Sequence, residues 1–361
     1  MPDFGTVFYI INAVIPLTLI FSALLMFLVA VPSTTDLNSY RTSRKIMTYA
    51  YLLFGVLSGI NAMMNGPNTS ASDMFIIAVI TLIIGSFQSF LFTYTLIILI
   101  NPSFFTRRWL RSQLIPISTF SVLSFSFLFL PAFSFQTVVF YLFLAFYLYQ
   151  LIFYTYTFLK EYKQYHSAAG NYFSGDEAAH LNWVAIAFFS ALSIGVLALA
   201  LIVFPDPVFD LVVAILCGVF YAGFLVKYIN YPYTFNEVTI LREEPVADSA
   251  EDKTQNNLSQ LIEQWVESKA YAQPDVTIVS LANALNTNRT YLSAYINSNM
   301  QMNFNAWINT LRIEDAKLLL KDTSQLSIAD IGFRLGYTDH SSFSRQFKKI
   351  TGFSPVQWKN K

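Results

Sequence analysis

The amino-acid sequence predicts an all-α protein, in which a seven-helix transmembrane bundle precedes a soluble helical region. Residues 1–231 contain only 17 charged side chains, whereas the remaining 130 residues contain 27. The chain also has 35 phenylalanines and a mean hydropathy of +0.47, far from the balance of a soluble globular protein. The net charge of zero therefore averages two unlike regions and says little about binding partners.

Seven apolar segments are long enough to cross a membrane. A hydrocarbon core about 30 Å thick requires roughly 20 apolar residues per helix. The connections between the segments are short, so we expect successive spans to be antiparallel neighbours. The predicted spans are 7–31, 46–64, 75–100, 113–133, 138–159, 181–204 and 208–231.

Lysine and arginine are distributed unevenly among the connections between these spans. The connections after spans one, three and five are basic, whereas the N-terminus and the connections after spans two, four and six contain no Lys or Arg. Short basic loops stay on the cytoplasmic side. We therefore predict a multi-pass protein of the cytoplasmic membrane, with its N-terminus outside and its C-terminal region inside. The basic residues are Arg41, Arg44, Lys45, Arg107, Arg108, Arg111, Lys160 and Lys163.

Polar residues within the spans mark a candidate ligand site. Tyr147, Gln150 and Tyr154 recur at i, i+3 and i+7 on span five and so share one helix face. On span three, Gln88 lies in a similar polar stripe with Thr81. One interpretation is a pocket for an unidentified small or lipophilic ligand. The other is hydrogen bonding between neighbouring helices, which membrane bundles commonly use.

The residue types within the spans argue against several classes of protein. No Asp, Glu or His lies deep in a span, so a proton relay or a carboxylate-based intramembrane protease has no titratable groups to use. Asp206 and Asp210 lie at the outer ends of spans six and seven, where we expect them to be solvated. The single cysteine, Cys217, provides neither a disulfide framework nor a Cys-based zinc site. We expect no cofactor, no metal site and no enzymatic activity.

A polar and acidic segment, residues 232–256, connects the spans to a C-terminal helical domain, residues 257–361. This domain contains two helix-turn-helix patterns. In the first, Thr277 is suited to cap a helix that ends at Leu285. A short turn then leads into a second helix, residues 289–297.

The second pattern begins at Ser327, which forms a capping-box-like start with Asp330. Asp339 caps the next helix, which ends at Gly352. This helix has an apolar face and a polar face. Short polar residues and cations suit a helix that enters the major groove of DNA. The apolar face comprises Phe343, Phe347 and Ile350, and the polar face Ser341, Ser344, Arg345 and Lys348.

Between the two patterns, residues 306–321 form one long predicted helix with two apolar stripes. A helix that packs against a module on each side needs both stripes. We expect it to hold the modules at a fixed separation, suited to successive major-groove windows about 34 Å apart. One stripe comprises Ile313, Ala316 and Leu320, and the other Leu311 and Leu318.

Over roughly residues 258–360 the sequence resembles the AraC-type DNA-binding domain. Many matches occur in the family's order, so the resemblance is specific. The residues that carry it are Leu281-Ala282, Tyr291-Leu292-Ser293, Arg312-Ile313-x-x-Ala316, Ile328-x-x-Ile331-Gly332, Gly336-Tyr337-x-Asp339, Phe343-Ser344-Arg345-x-Phe347-Lys348-Lys349 and Gly352-x-Ser354-Pro355.

The resemblance implies a bacterial transcription regulator that binds double-stranded DNA through two recognition helices. It also implies RNA polymerase as a partner and a homodimeric state. In the first module the usual Arg, Lys and Gly are replaced by Ala294, Asn297 and Gln301, so we expect the second module to carry more of the specificity. The DNA-binding residues that the resemblance implies are Arg289, Thr290, Ser293, His340, Ser341, Ser344, Arg345, Lys348 and Lys349.

Three hypotheses follow for the role of the spans. In the favoured one, residues 1–231 sense a ligand or the state of the lipid bilayer and control the DNA-binding domain. In the second, the spans form a transporter whose C-terminal domain regulates transcription. In the third, the spans only anchor the regulator at the membrane. The sequence does not reveal the ligand, the target promoter, or whether transcription is activated or repressed.

Overall fold

The computed structural model describes most of the chain as α-helix. Within the described residues the only strand-like feature is an isolated bridge between Phe173 and Thr277, so the all-α fold class is confirmed. The described residues are 3–31, 37–64, 71–101, 104, 106–127, 133–174, 182–231, 255–321 and 326–360.

The chain divides into two compact units, and the boundary between them falls inside a helix. The bundle unit comprises Met1–Lys163 and Leu181–Val238. The head unit comprises Gln164–His180 and Thr239–Lys361. The predicted linker, residues 232–256, lies outside the described residues as far as position 254.

Seven helices begin in the bundle unit, and six of them are long and apolar enough to cross a membrane over their described residues. The exception is α4, whose first turns carry Arg107, Arg108 and Arg111. The end of the predicted span 113–133 lies partly outside the described residues, and a seventh crossing stays a prediction. The helices are α1 (Phe4–Leu28), α2 (Asn38–Met64), α3 (Ala71–Ile100), α4 (Arg107–Phe127), α5 (Phe133–Tyr172), α6 (Asn182–Val203) and α7 (Pro207–Asn230).

Large apolar side chains cover the outer surface of the bundle unit. Leu17 and Phe27 of α1, Ile152 of α5 and Val219 of α7 are 66%, 75%, 72% and 68% exposed. Water-soluble proteins rarely expose apolar patches of this kind. Hydrogen-bonding groups are instead turned inward: the buried Tyr40 hydroxyl donates to the Tyr228 carbonyl oxygen at 2.9 Å.

Glycines on α3 and α6 make room for the Tyr147 side chain of α5. The Tyr147 ring occupies a slot in which a Cβ atom at Gly85 would lie 2.8 Å from the ring, and one at Gly195 would lie 2.9 Å from the hydroxyl oxygen. The Tyr147 hydroxyl donates to the Gly195 carbonyl oxygen at 3.2 Å. Small residues at these positions therefore position Tyr147 in the interior of the bundle.

The head unit contains seven further α-helices over its described residues, arranged around two hydrophobic cores. The predicted helix boundaries in the two helix-turn-helix patterns are confirmed to within two residues. The helices are α8 (Gln255–Glu267), α9 (Ile278–Ala284), α10 (Arg289–Asn299), α11 (Phe304–Lys321), α12 (Ile328–Arg334), α13 (His340–Thr351) and α14 (Pro355–Lys359).

The long helix α11 contributes to both cores, as predicted. One of its two apolar stripes contains other residues than the sequence predicted. Ile313, Ala316 and Leu320 are buried in the core of the second module. The prediction that Leu318 packs inward was wrong, because its side chain is 67% exposed. The stripe that faces the first module lies nearer the start of the helix and comprises Phe304, Trp307, Ile308 and Leu311.

Helix α5 is longer than the sequence predicted. Span five was expected to end at residue 159 and to be followed by a loop, but the helix continues to Tyr172. The continuation keeps a helical pattern, since Tyr165, Ala169 and Tyr172 recur at i, i+4 and i+7 and are all buried. Its last turns belong to the head unit, where Tyr172 and Phe173 join the core of the first module.

Gly336 connects the two modules at a point where a side chain does not fit. Its φ is +81°, and a Cβ atom there would lie 2.6 Å from the Gln273 carbonyl oxygen and 2.7 Å from that of Ala272. Gly352 has a similar φ of +80°, but a Cβ atom there would meet nothing within 4 Å. A side chain at Gly352 would therefore be unfavourable only through the backbone conformation. A side chain at Gly336 would be unfavourable through both the backbone conformation and the steric clash.

We predict that Gly336→Ala destabilises the second module by about 3 kcal/mol, since a left-handed backbone and a steric clash add together. Gly352→Ala should cost about 1–2 kcal/mol, from the backbone alone. Hydrogen exchange of the α12 and α13 amides in the full chain measures both values. Equal losses in the two variants would show that the modules do not approach as closely as described.

Candidate functional site

Local hydrogen bonds set the position of the second candidate recognition helix. Ser327 and Asp330 form a reciprocal capping box at the start of α12. Asp339 begins α13, where its carboxylate accepts from the Ser342 amide at 2.8 Å. These bonds favour the charged carboxylates: the Ser342 amide lowers the pKa of Asp339, and the Ser327 hydroxyl lowers that of Asp330. Both predicted caps are confirmed.

The predicted residues of the second module lie on the outer face of α13. Phe343 and Phe347 are fully buried, which fixes the rotation of the helix. His340 and Ser344 approach each other at 3.4 Å, and the Arg345 guanidinium donates to the Ser342 hydroxyl at 3.2 Å. Except for the half-buried Ser344, the side chains of this surface are exposed: His340, Ser341, Arg345, Lys348 and Lys349.

The first module presents a smaller polar surface. Asn288 caps α10 by accepting from the Tyr291 amide at 2.7 Å. Thr290, on the first turn of this helix, is exposed. Ser293 is half-buried and accepts from the Asn297 side chain at 3.5 Å. Gln301, which stands where the AraC-type pattern usually has glycine, adopts a φ of +53°. This position therefore needs the left-handed conformation that glycine adopts at lower cost.

Arg289, a predicted DNA-binding residue, contacts the end of α5. Its guanidinium lies over the Tyr172 ring, 5.7 Å from the ring centroid. The guanidinium is half-buried rather than fully exposed. The first recognition helix thus contacts the continuation of α5 through a cation–π interaction.

The end of α5 is held to the head unit by backbone and side-chain hydrogen bonds. The Ser174 amide donates to the Val276 carbonyl oxygen at 3.1 Å, next to the bridge between Phe173 and Thr277. The Asn309 side chain of α11 donates to the Ser174 carbonyl oxygen at 2.9 Å. We call residues 164–174 the α5 tail. Sequence reasoning missed it because its partners are distant in the sequence.

Buried polar groups on α11 join the two modules. The Arg312 guanidinium, 1% exposed, donates to the carbonyl oxygens of Tyr271 at 2.8 Å and Gln273 at 2.7 Å. It also lies over the Tyr337 ring, 5.3 Å from the centroid. The Tyr337 hydroxyl donates to the Asn309 side-chain oxygen at 2.7 Å, and burial raises the pKa of Tyr337. Arg312 and Tyr337 belonged to the family pattern, but sequence alone assigned them no role.

A cavity of about 260 Å³ lies within the bundle unit and is lined by two of the four predicted ligand residues, Gln88 and Tyr147. Thr81 of the same predicted stripe lines it too, as does Gly85 of α3. Asp206 and Asp210, which we expected to be simply solvated, are lining residues too. Their contribution was not evident from sequence, because it depends on how α7 packs against α3.

Gln150 and Tyr154 do not line this cavity. The Gln150 amide donates to the Tyr154 hydroxyl at 3.2 Å, and that hydroxyl donates to the Gln113 side chain of α4 at 3.0 Å. Tyr154 borders only a separate cavity of about 20 Å³. The polar stripe on α5 therefore divides: Tyr147 lines the large cavity, whereas Gln150 and Tyr154 make the helix–helix hydrogen bonds of the alternative interpretation.

Comparisons with known proteins match the head unit. A family model described as a helix-turn-helix domain matches residues 281–361. The raffinose operon transcriptional regulatory protein RafR of Pediococcus pentosaceus is 35% identical over 83 residues, which cover 23% of this chain and 30% of that protein. The arabinose operon regulatory protein of Escherichia coli K12 is 29% identical over 123 residues, 34% of this chain and 41% of that protein.

Solved structures match the same region. One is the C-terminal domain of AraT, a response regulator from Geobacillus stearothermophilus, which is 32% identical to this chain. The match covers 29% of this chain and 87% of that chain, with a TM-score of 0.27. The chain spans less than half the length of the curated relatives reported above. Their names describe regulators of operons, in agreement with the expectation that the chain is not an enzyme.

Two capped helix-turn-helix modules joined by one long helix define a DNA-binding domain of the bipartite helix-turn-helix class. The matched relatives and the ordered motif residues specify it further. The C-terminal domain of this chain is an AraC-type helix-turn-helix domain.

Exposed cations on α13 allow base contacts and phosphate contacts to be distinguished. We predict that Arg345→Ala weakens binding to the target promoter by about 1–3 kcal/mol and relaxes discrimination at one base pair. Lys349→Ala should weaken binding to all sequences alike and reduce the salt slope by about 1. DNA titrations at several salt concentrations measure both effects. Lys359→Ala, outside the recognition helices, is the control and should bind as the unaltered protein does.

Proposed function

We propose that the protein is a membrane-integral, one-component transcription regulator. Its AraC-type domain binds DNA in the major groove through α10 and α13, under control of the bundle unit. The observation that carries this proposal is the path of α5, which begins in the bundle unit and ends in the core of the first helix-turn-helix module. A purely anchoring region would need only a tether.

The DNA-binding part of the proposal is supported by the charge and shape of the recognition helices. In the second module, His340, Ser341, Ser344 and Arg345 contact bases, whereas the lysines at positions 348 and 349 contact phosphates. In the first module, Arg289, Thr290 and Ser293 make the contacts. Residues 257–361 contain 11 Lys and Arg against 8 Asp and Glu, so binding depends on salt without being unusually tight. RNA polymerase and a second copy of the chain are the further partners.

The membrane part of the proposal is supported by the surface of the bundle unit. Apolar side chains face outward and hydrogen-bonded hydroxyls face inward, as a lipid environment requires. Arg44 of α2 donates to the carbonyl oxygens of Met26 and Val29, at the end of α1. It thus satisfies carbonyl groups that the helix end leaves without partners. The basic loops favour a cytoplasmic position for this end.

Cysteine labelling tests the orientation. In a Cys217→Ala background, we predict that a membrane-impermeant maleimide labels Asp3→Cys in intact cells. Lys45→Cys should be labelled only after the cells are permeabilised, because it lies at the predicted cytoplasmic end of α2. Both positions lie near helix ends, and the exposed Lys45 needs no rearrangement to react. Labelling of Lys45→Cys in intact cells, with Asp3→Cys protected, would reverse the proposed topology.

Control of the head unit by the bundle unit can be separated from anchoring with a double-mutant cycle. Ala198 lines the cavity, so Ala198→Phe should repack the bundle and change expression from the target promoter several-fold. Val196→Phe is the control, because Val196 is 52% exposed on the outer surface of α6. A reporter gene fused to the promoter that the protein occupies in cells measures the effect.

The second arm of the cycle interrupts α5 at the unit boundary. Gln164→Pro removes one backbone hydrogen bond and kinks the helix, and Gln164→Ala is its control. We expect Ala198→Phe to have no effect on expression in the Gln164→Pro background and its full effect in the Gln164→Ala background. An effect of Ala198→Phe that persists after Gln164→Pro would contradict control through α5. No effect of Ala198→Phe in any background would favour the anchor hypothesis.

A further inference from the structure

The cavity of the bundle unit is elongated and has polar groups at its two ends. On α7 its lining residues run from Asp206 to Tyr221, and on α3 from Met74 to Gln88. At 1.5 Å per residue, each wall extends for about 20 Å along its helix. Between the ends the wall is mainly apolar, with side chains such as Leu19 and Val213. This shape suits a chain-like molecule better than a compact one.

The inner end contains a buried polar group that lacks a partner. The Nε2 atom of Gln88 has no hydrogen-bond partner among the described residues, although Gln88 is only 7% exposed. Nearer the outer end, the Oδ1 atom of Asn61, three residues before the end of α2, is likewise buried without a partner among the described residues. Burying such groups is unfavourable unless they form hydrogen bonds. A bound molecule with a hydroxyl or carbonyl group would satisfy Gln88.

The outer end contains two carboxylates. Asp206 is exposed and caps α7 by accepting from the Phe209 amide at 2.8 Å, and Asp210 follows one turn later, half-buried. None of the described residues that line the cavity is Lys or Arg. The entrance is therefore acidic, and its attraction for a cation is not offset by a basic lining residue.

We propose that the cavity binds an elongated amphiphile with a protonated amine at one end. The ammonium group lies at Asp206 and Asp210, the apolar chain lies along the wall of α3 and α7, and a hydrogen-bonding group at the far end meets Gln88. This inference deepens the proposed function, because it specifies the chemistry of the ligand that the bundle unit senses. Under the proposed topology the acidic end faces the outside of the cell.

Ten-carbon probes test this assignment on the full chain in nanodiscs of zwitterionic lipid. The probes are decylamine, 10-amino-1-decanol, decanol and decanoate, titrated by calorimetry with empty nanodiscs subtracted. We expect 10-amino-1-decanol to bind most tightly, then decylamine, then decanol, with decanoate weakest. Replacing both carboxylates, in Asp206→Asn with Asp210→Asn, should weaken amine binding about tenfold, as expected for two partly solvated ion pairs. Decanol binding should not change.

Matched variants separate charge from folding. Asparagine caps a helix as well as aspartate, so Asp206→Asn keeps the start of α7. Asp3→Asn is the control, because Asp3 caps α1 in the same way without lining the cavity. Gln88→Leu should reduce the affinity for 10-amino-1-decanol to that for decylamine. Equal binding of decylamine and decanol to the unaltered protein, or amine preference that survives in the double variant, would overturn the proposal.

Failure of this assignment is distinguishable from failure of the proposed function. Amine binding that leaves the target promoter unaffected in cells would support the cavity assignment and contradict control by the bundle unit. Conversely, promoter expression that changes with Ala198→Phe, without amine binding to the unaltered protein, would support control and overturn the amine as ligand.

Discussion

The buried guanidinium of Arg312 is the interaction on which the arrangement of the head unit depends. It satisfies two carbonyl oxygens that follow the first-module helix α8, and it stacks on Tyr337, which precedes the second recognition helix. A buried charge without such partners would be strongly unfavourable, so the two modules can share one arrangement only while these bonds persist. Gly336 reinforces the arrangement, since only a residue without a side chain allows the Gln273 carbonyl oxygen to approach.

The hydrogen bonds of the buried polar groups on α11 extend to the α5 tail. Asn309 donates to the Ser174 carbonyl oxygen and accepts from the Tyr337 hydroxyl, so a single amide connects the tail, the long helix and the second module. Tyr172 meanwhile contacts Arg289 on the first recognition helix. The tail is thus a structural part of the DNA-binding unit. Replacing the whole of residues 1–231 with another anchor would remove part of that unit, and would therefore not separate sensing from anchoring.

Features that depend on interactions between residues close in the sequence were predictable, and features that depend on residues far apart in the sequence were not. Caps such as Thr277, Ser327 and Asp339 act on amides three residues away, so the helix starts in both modules were predictable. The length of α5 was not, because the residues that bury Tyr172 lie about a hundred positions later in the chain. Leu318 was misassigned for a similar reason: helical spacing defines a stripe, but only the neighbouring elements determine whether that stripe is covered. The acidic end of the cavity also depended on packing between distant helices.

Control through α5 requires only a modest coupling free energy. Allosteric coupling is typically about 1–3 kcal/mol, and a cation–π contact or a net hydrogen bond contributes about 1 kcal/mol. The α5 tail makes contacts of this kind with Arg289, Val276 and Asn309, so changing a few of them would supply a coupling free energy of the size that the proposed control needs. Under the proposed control, the first module would receive the change directly, since it contains the bridge to Thr277. The second module, with its denser set of cations, would receive it through α11 and through the close approach of Gly336 to the Gln273 carbonyl oxygen. The proposal therefore places regulation chiefly in the module with the weaker DNA-binding surface, and specificity in α13.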